Sequence, residues 1–416
     1  MAQTLLTPTI ITKESLRILH SKVVLAKSVY RDYDKQFANS GASPSGKIGP
    51  TLTIRMPNRY TVRTGPTVQI QEITEYSQVL TISTLIGVDM VFPNVDLTLT
   101  IDDFSKRYIA PAMSVLASKV DQYVANNFSG VYNQVGTPGT TPQSALVYLQ
   151  GGAKLSDNLC PEDSRSAIID PWAQGYTVDS LKTLFHKDAS ISDQYEKGEM
   201  GEALGFAFKM SQNIPSISCG TRKAGTLVST GHMNTVASTS VDGDTVLNLT
   251  LTSDGSTGSA YTINAGDTFQ IAGVNAVHYE TKIDLGRLQD FVCTTTTTAN
   301  GSGVIQIPVS PSINLTGPFQ NVSALPQSGA YVMFTNGDAS ETHKTNILFH
   351  PEAFALVTAD LELPGGVDMA ARQSLDGISM RVVRQYNIIT NEIICRVDIL
   401  LGTKLIRPEL ACRLVG

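Results

Sequence analysis

One segment of the chain carries the residue types of a phosphate-binding loop. Residues 41–47, GASPSGK, fit the GxxxxGK pattern, in which backbone amides and a lysine surround a phosphate. The next residue is Ile48, so the hydroxyl that would reach a magnesium ion is missing. The segment follows a helical pattern rather than a buried strand, and Gly49-Pro50 opposes the helix that would direct amides at the phosphate. We therefore interpret it as a flexible joint.

Other residues with catalytic or metal-binding chemistry do not fall into a recognisable arrangement. The six histidines include no HExxH motif or paired-ligand spacing, and no GxSxG elbow holds a nucleophile. Asp242-Gly243-Asp244 lacks the further carboxylates of a calcium cage, so a turn is its predicted role. The five cysteines never form a CxxC pair, which disfavours a zinc site. We expect a non-enzymatic protein without cofactor or metal.

Charge is distributed unevenly along the chain. The 416 residues have a formal net charge of -6, but residues 1–63 hold ten basic and three acidic side chains, which leaves +7 there and -13 in the remainder. A basic arm on an acidic body suits docking on nucleic acid, on an acidic partner or on another copy of that body, with a solvated helix face as the alternative. We expect no secretory signal, because the amino end lacks a basic start followed by an apolar run. We expect no membrane anchor, because no run approaches the roughly 18 apolar residues that span a bilayer.

Apolar periodicity predicts two helices in the first third of the chain. After the N-cap candidate Thr12, apolar residues alternate at spacings of three and four, which indicates a heptad seam lying on another surface. A second stripe follows the N-cap candidate Asp102 and predicts a long helix over residues 101–128. The seam comprises Leu16, Leu19, Val23, Ala26, Tyr30, Tyr33 and Phe37, and the second stripe comprises Met113, Leu116, Val120 and Tyr123.

The segment between these two helices alternates in the manner of strands. TLTIRMP, which begins at Thr51, and the later run VLTISTLIGVDMVF predict a long two-stranded excursion. Arg55, Arg59 and Arg63 lie four residues apart, so in an extended strand they would share one face. A hairpin of this length needs a surface to lie against.

The rest of the chain completes a mixed α+β pattern. One helix is expected near residues 178–187 and another at residues 350–363, HPEAFALVTADLEL, where Pro351 suits the first helical position. Residues 221–340 contain only twelve charged side chains and many turn signals, which indicates an inserted all-β module of sandwich or barrel type. Strands are expected from Gly377 to the end.

Six segments, in their order along the chain, carry a family resemblance. They are TVRTGP, DDFSKRYIAPAMSVLASKVDQYV, GEALGFAFKMSQNIPS, GDTFQIAGV, LFHPEAFALVT and RVDILLGTKLIRPELACRLVG. Each segment by itself has little specificity, but their co-occurrence in this order makes nearly the whole chain resemble a tailed-bacteriophage major capsid protein. The resemblance is to the coat-protein branch that is typified by short-tailed enterobacterial phages and carries an inserted β domain.

This resemblance implies an α+β tailed-phage capsid fold with seven consecutive parts. It also implies a separate scaffolding protein, since only about 12 residues precede the arm helix. The implied parts are an N-terminal arm at 1–46, an extended loop at 47–90, a peripheral domain with a long spine helix at 91–138, the first part of an axial domain at 139–220, the inserted β domain at 221–340, the second part of the axial domain at 341–385, and return strands to the peripheral domain at 386–416.

The implied function is structural. Copies of the chain would form hexamers and pentamers of an icosahedral shell that encloses double-stranded DNA without sequence-specific binding. A portal protein and the scaffolding protein are the other implied partners, and the implied locations are the virion capsid and, before assembly, the host cytoplasm. The alternatives are the shell protein of a bacterial nanocompartment, which would share the fold, and an extracellular β-rich adhesin.

Candidate subunit contacts come from the helical seam and the hairpin. Both have apolar or charged faces that neighbouring subunits could cover, and the arginines would hold the hairpin on an acidic surface of an adjoining subunit. The candidates are Leu16, Leu19, Val23, Tyr30, Arg55, Arg59 and Arg63.

Overall fold

The structure is a computed structural model that describes residues 8–33, 51–68, 70, 76–93, 109–181, 201–221, 234–253, 256–257, 261–300, 302–389 and 392–416. Helices and mostly antiparallel sheets make up these residues, which confirms the α+β class. The chain divides into two compact units. The first comprises Met1–Arg55, Ser77–Ala125 and Phe354–Ile406, and the second comprises Met56–Tyr76, Asn126–Ala353 and Arg407–Gly416.

The described helices are α1 (Pro8–Lys22), α2 (Ala110–Ala125), α3 (Ala145–Asp157) and α4 (Pro171–Leu181), with short 3-10 helices at Asn126–Gly130, Pro351–Ala353 and Pro408–Leu410. The described strands are β1 (Thr51–Arg55), β2 (Ser77–Thr81), β3 (Thr84–Pro93), β4 (Gln134–Val135), β5 (Ser166–Ile169), β6 (Glu202–Ala203), β7 (Phe206–Met210), β8 (Ser216–Ser218), β9 (Asn234–Val236), β10 (Asp244–Thr250), β11 (Thr252–Ser253), β12 (Ser256–Thr257), β13 (Thr262–Ile263), β14 (Thr268–Val277), β15 (Asp284–Cys293), β16 (Thr297–Thr298), β17 (Val304–Ile313), β18 (Tyr331–Phe334), β19 (Thr342–Lys344), β20 (Asn346–Phe349), β21 (Phe354–Ala359), β22 (Met369–Leu375), β23 (Ile378–Asn387), β24 (Glu392–Leu405) and β25 (Ala411–Leu414).

The first unit is organised around the long strand β24. Strand β3 pairs with it antiparallel, from Leu401 opposite Thr84 to Glu392 opposite Pro93. Strands β23 and β21 pair antiparallel with successive parts of the other edge of β24, and β22 extends the sheet beyond β23. Helix α1 packs on both α2 and β22, so the core of this unit lies between the helices and the sheet.

Helix α2 forms where its apolar stripe predicts a helix. Met113, Leu116 and Val120 are buried, and Tyr123 is half-buried. Side chains at spacings of three and four lie on one face of an α-helix, which is why this stripe reaches the core, and Ala117 and Val124 widen the buried face. The predicted N-cap Asp102 lies outside the described residues.

Helix α1 ends earlier than the seam predicts. The alternating spacing continues to Phe37, which lies outside the described residues, but the helix stops at Lys22. Beyond it, the amides of Val24 and Ala26 donate hydrogen bonds of 2.9 and 3.1 Å to the Asp121 carboxylate on α2. A buried carboxylate that needs donors therefore outcompetes continued helical hydrogen bonding.

The predicted long hairpin is only partly present. Strands β1 and β2 pair over five residues each, from Thr51 opposite Thr81 to Arg55 opposite Ser77. Within the described part of residues 56–76 the backbone forms no strand. Strand β3 does not prolong the hairpin, because it pairs with β24 instead. The expectation that Arg55, Arg59 and Arg63 share one strand face is therefore wrong.

A six-stranded sheet of order β4-β25-β20-β5-β7-β6 forms part of the second unit. Helix α3 packs on β25, and its N-cap Ser144 accepts a hydrogen bond from the amide of Leu146. Helix α3 also contacts α4, where the hydroxyls of Tyr148 and Thr177 lie 2.8 Å apart. The helix predicted near residues 178–187 is described as α4 up to Leu181.

The prediction of a helix over residues 350–363 is wrong. After the 3-10 turn Pro351–Ala353 the chain enters strand β21, which pairs with β24. The run FALVTA has aromatic and β-branched residues and is buried on both faces, so sheet pairing overrides the helical signal of the proline. Strands β21 to β23 lie with β24 in the first unit, and β25 lies in the sheet of the second, which differs from the implied division at residue 385.

Residues 234–334 contain a closed barrel of strand order β10-β17-β15-β14-β18-β9. This all-β structure lies within the module predicted at residues 221–340. Its core is built on aromatic rings, with the Phe269 ring centroid 5.8 Å from that of Phe291 and 5.7 Å from that of Phe334. Closure pairs the edge strands with each other and so removes open strand edges.

Candidate assembly surfaces

The apolar seam of α1 lies inside its own unit. Leu16, Leu19 and Val23 are all buried, with exposed fractions of 2% or less. Leu16 and Leu19 belong to the helix that packs on α2 and β22, and Val23 follows its last residue. The expectation that these three side chains face a neighbouring subunit therefore needs correction: the periodicity of a stripe does not specify which surface covers it.

Two further contacts hold the chain after α1 in the first unit. The Tyr30 amide donates to the Phe354 carbonyl at 3.1 Å, and its carbonyl accepts from the Leu356 amide at 3.0 Å. Tyr30 is thus tied to β21 by its backbone, and its expected role at a subunit contact stays a prediction.

Asp376, in the turn between β22 and β23, joins two basic side chains from this region. Its Oδ2 lies 3.0 Å from His20 Nε2 and 2.7 Å from Arg31 Nη1. The hydrogen bond with His20 and the contact with Arg31 hold the pKa of the Asp376 carboxyl below its ordinary value.

The three candidate arginines are in different surroundings. Arg55 is exposed at the end of β1 in the first unit. Arg59 lies in the second unit, with its Cζ 4.2 Å from the centroid of the Tyr279 ring. Arg63 is exposed and donates to the carbonyls of its own segment, at Gly65 and, over 3.1 Å, at Thr67. Their predicted contact with an adjoining subunit stays a prediction.

Residues 56–68 and 70, which we call the connecting segment, present large apolar side chains to solvent. Val62 and Ile70 are 90% and 92% exposed, and Tyr60 and Val68 are also exposed. Side chains of this size normally find cover, and a cluster of them on one exposed segment indicates an interaction surface.

A second exposed apolar site follows strand β23. Ile388 and Ile389 are 83% and 90% exposed. They line a groove of about 480 Å³ together with Val383, Tyr386 and Ile394. The lining is apolar apart from a few polar side chains, which suits packing against another protein surface.

Buried charges connect the barrel with the rest of the second unit. Arg413 on β25 is almost fully buried and donates to the carbonyl of Gly266 at 2.7 Å. Burial lowers the pKa of Arg413 to about 9. Lys154 on α3 forms an ion pair with the buried Asp290 on β15. Both of these contacts use a buried charge that is hydrogen-bonded or paired, as burial requires.

In the described part of the chain, His, Cys, Asp and Glu side chains form no group of three or more that could hold a metal ion. Among the described helices, none is long and apolar enough to cross a membrane.

A family model described as "P22 coat protein - gene protein 5" matches residues 1–416. The chain belongs to this coat protein family. It is therefore a bacteriophage major capsid protein. Multiple copies of such a protein assemble into the virion capsid. This result confirms the resemblance found in the sequence, and the nanocompartment and adhesin alternatives are not favoured.

Solved phage structures give weaker likenesses to this coat protein. A structure from Mycobacterium phage Che8 covers 94% of this chain and 90% of its own, at 12% identity and a TM-score of 0.45. The capsid of Ralstonia phage GP4 covers 88% and 83%, at 9% identity and a TM-score of 0.43. The CUS-3 coat protein I-domain covers 26% of this chain and all of its own, at 24% identity and a TM-score of 0.20. A search of curated proteins gives no match.

Sequence reasoning missed the most exposed large apolar side chains among the residues that the structure describes. Val62, Val68 and Ile70 lie an even number of residues apart, which is the period of one strand face, and such an apolar face on a segment interrupted by Gly65-Pro66 is a usable signal. Ile388 and Ile389 are adjacent in sequence, so one of them cannot face the core of a strand, which is a second signal. Contacts of Arg59 with aromatic residues more than 200 positions away had no local signal.

Proposed function

We propose that this coat protein builds a closed icosahedral shell of hexamers and pentamers around double-stranded DNA, and that the connecting segment is one of its contacts with neighbouring copies. The observation that carries the proposal is the exposure of Val62 and Ile70, at 90% and 92%. Burying one such side chain contributes about 1.5–3 kcal/mol, and a shell repeats the gain in every subunit.

The charge of the protein supports DNA as an enclosed rather than a tightly bound cargo. The net charge of -6 is made of +7 in residues 1–63 and -13 in the remainder. Affinity for phosphate scales with the number of cationic contacts, so an acidic body binds DNA weakly and lets it be packed and released.

We further propose that assembly takes place in the host cytoplasm with a separate scaffolding protein and a portal protein, as expected for relatives of tailed-phage capsid proteins. The role is structural and non-enzymatic, in line with the coat protein family. The apolar groove beside Ile388 and Ile389 is a second candidate contact between copies.

Negative-stain microscopy and light scattering test this function. The wild-type chain, expressed with a scaffolding protein, should give closed shells, and Val62→Asp combined with Ile70→Asp should abolish them while circular dichroism stays unchanged. Val241→Asp is the control, because Val241 is also an exposed apolar side chain, at 66%, and lies outside the connecting segment. Shell formation by the double variant at the rate of the wild type would contradict the assigned contact.

A further inference from the structure

We propose that two loops of the barrel, which carry Tyr279 and Phe319, hold Arg59 and thereby position the connecting segment for assembly. We call this set of contacts the clamp. The clamp consists of Arg59 and Tyr76 on one side and Tyr279, Phe319 and Glu409 on the other, all in the second unit. This inference gives the inserted module a role in assembly, and it rests on the proposed contact of the connecting segment with neighbouring copies.

Arg59 contacts two aromatic rings and a carboxylate. Its Cζ lies 4.2 Å from the Tyr279 ring centroid and 5.9 Å from the Phe319 ring centroid. Both distances fall within the roughly 6 Å range of a cation–π contact. On a third side Arg59 Nη2 lies 3.7 Å from Glu409 Oε1. A planar guanidinium suits such a site, because it stacks on rings and pairs with a carboxylate at once.

The chain returns to the same aromatic surface at Tyr76. The ring centroid of Tyr76 lies 6.5 Å from that of Phe319. The amide of Met56 donates to the carbonyl of Tyr76 at 2.8 Å, so the chain that leaves at Met56 and the chain that returns at Tyr76 are held together. Phe319 therefore contacts both the outgoing and the returning chain.

The aromatic side of the clamp is itself fixed. The Tyr279 hydroxyl lies 3.2 Å from the hydroxyl of Tyr132, which is buried. Lys282, three residues after Tyr279, donates to the carbonyl of Pro318 at 2.7 Å and so ties the Tyr279 turn to the loop that carries Phe319. The two rings that receive Arg59 thus keep a constant spacing.

Fixing the base of the connecting segment limits where its exposed side chains point. Val62 and Ile70 lie between Arg59 and Tyr76 in the sequence. Ordering a segment before it binds lowers the entropy lost on association, so a clamped segment associates faster and tighter than a loose one. Loss of the clamp should slow assembly without unfolding the chain.

Hydrogen exchange on the unassembled full-length chain tests the clamp itself. Arg59→Gln should increase exchange of the Met56 amide at least tenfold, and Arg59→Lys should restore part of the protection because a cation still faces the rings. Arg63→Gln is the matched control, since Arg63 bonds only to carbonyls of its own segment among the contacts described for it. Tyr279→Phe keeps the ring and should retain most of the protection.

Light scattering of the same variants with scaffolding protein tests the positioning role. Arg59→Gln and Phe319→Leu should each slow assembly about tenfold, and the double variant should be no slower than either one, while thermal unfolding stays unchanged. Equal exchange in Arg59→Gln and Arg63→Gln would overturn the clamp. Faster exchange with assembly at the wild-type rate would overturn its positioning role. Failure of the proposed function is distinct, because it shows as normal assembly of the Val62 and Ile70 double variant.

Discussion

The carboxylate of Asp121 accepts a hydrogen bond from the amide of Val24, with Oδ2 2.9 Å from the nitrogen. This contact joins the chain just after α1 to the C-terminal part of α2, and the Ala26 amide donates a second hydrogen bond to the other oxygen. Asp121 is almost fully buried, and this burial raises the pKa of its carboxyl in spite of the hydrogen bonds that it accepts.

Asp121→Asn should change how stability depends on pH. With a raised pKa, the folded chain binds the Asp121 proton more tightly than the unfolded chain does. The stabilising contribution of this group is therefore full below the ordinary carboxyl pKa of 3.8 and is lost as pH rises through the raised value. Urea unfolding of both proteins from pH 3 to pH 8 should show wild-type stability falling relative to the variant as pH rises, and a constant difference would contradict this.

Asp376→Asn should have the opposite pH dependence. The pKa of Asp376 is lowered, so its contribution is present above the ordinary carboxyl pKa and is lost as pH falls through the lowered value. The loss at neutral pH should be about 1 kcal/mol or less, because the carboxylate is half-exposed and salt screens such pairs. Urea unfolding should show the difference vanish in acid and shrink in 1 M salt. A difference that persists at pH 2 would exclude the ion pair as its cause.

Leu19→Ala should destabilise the unassembled chain by about 2–5 kcal/mol, because Leu19 is fully buried and its truncation leaves a cavity. Val115→Ala on α2 is the control, and as Val115 is 65% exposed the change should be within about 0.5 kcal/mol. Urea unfolding of the monomer measures both. If Leu19→Ala left the monomer unaffected and blocked only assembly, the seam would belong to a subunit contact after all.

Two adjacent glycines of α3 should respond oppositely to alanine. A Cβ on Gly151 would lie 2.5 Å from Leu348 Cδ1, a buried side chain, so Gly151→Ala should cost about 1–3 kcal/mol through overpacking. A Cβ on Gly152 would lie 3.4 Å from its nearest neighbour, in the Phe206 ring, so Gly152→Ala should stabilise by about 0.5–1 kcal/mol through helix propensity. Thermal unfolding of each variant decides whether α3 packs this closely on the sheet.

The excised fragment of residues 221–340 should fold alone. Its barrel closes on itself, and among the described residues its apolar core extends from Val236 to Phe334. Within the fragment Asp290 keeps the Gln270 amide as a donor at 2.7 Å after Lys154 is removed. A two-dimensional amide NMR spectrum should be well dispersed, whereas a collapsed spectrum would mean that the barrel depends on Lys154 and Arg413 from outside.

Local patterns were sufficient for several parts of this coat protein. The stripe of α2 and the low-charge, turn-rich composition of the barrel each predicted an element type, because periodicity and turn residues act over a few neighbouring positions. The ordered set of six segments also indicated the family, since it spans nearly the whole chain.

Contacts between distant residues decided the rest. Periodicity placed Leu19 on a stripe, but only the packed unit covered that stripe with α2 and β22. Spacing predicted that Arg55, Arg59 and Arg63 share one strand face, but Arg59 contacts the Tyr279 ring instead. Residues 354–359 became a strand because β24 offered an unpaired edge. In each case the partner lay far away in sequence, and a pattern read along the chain carries no information about which distant surface will meet it.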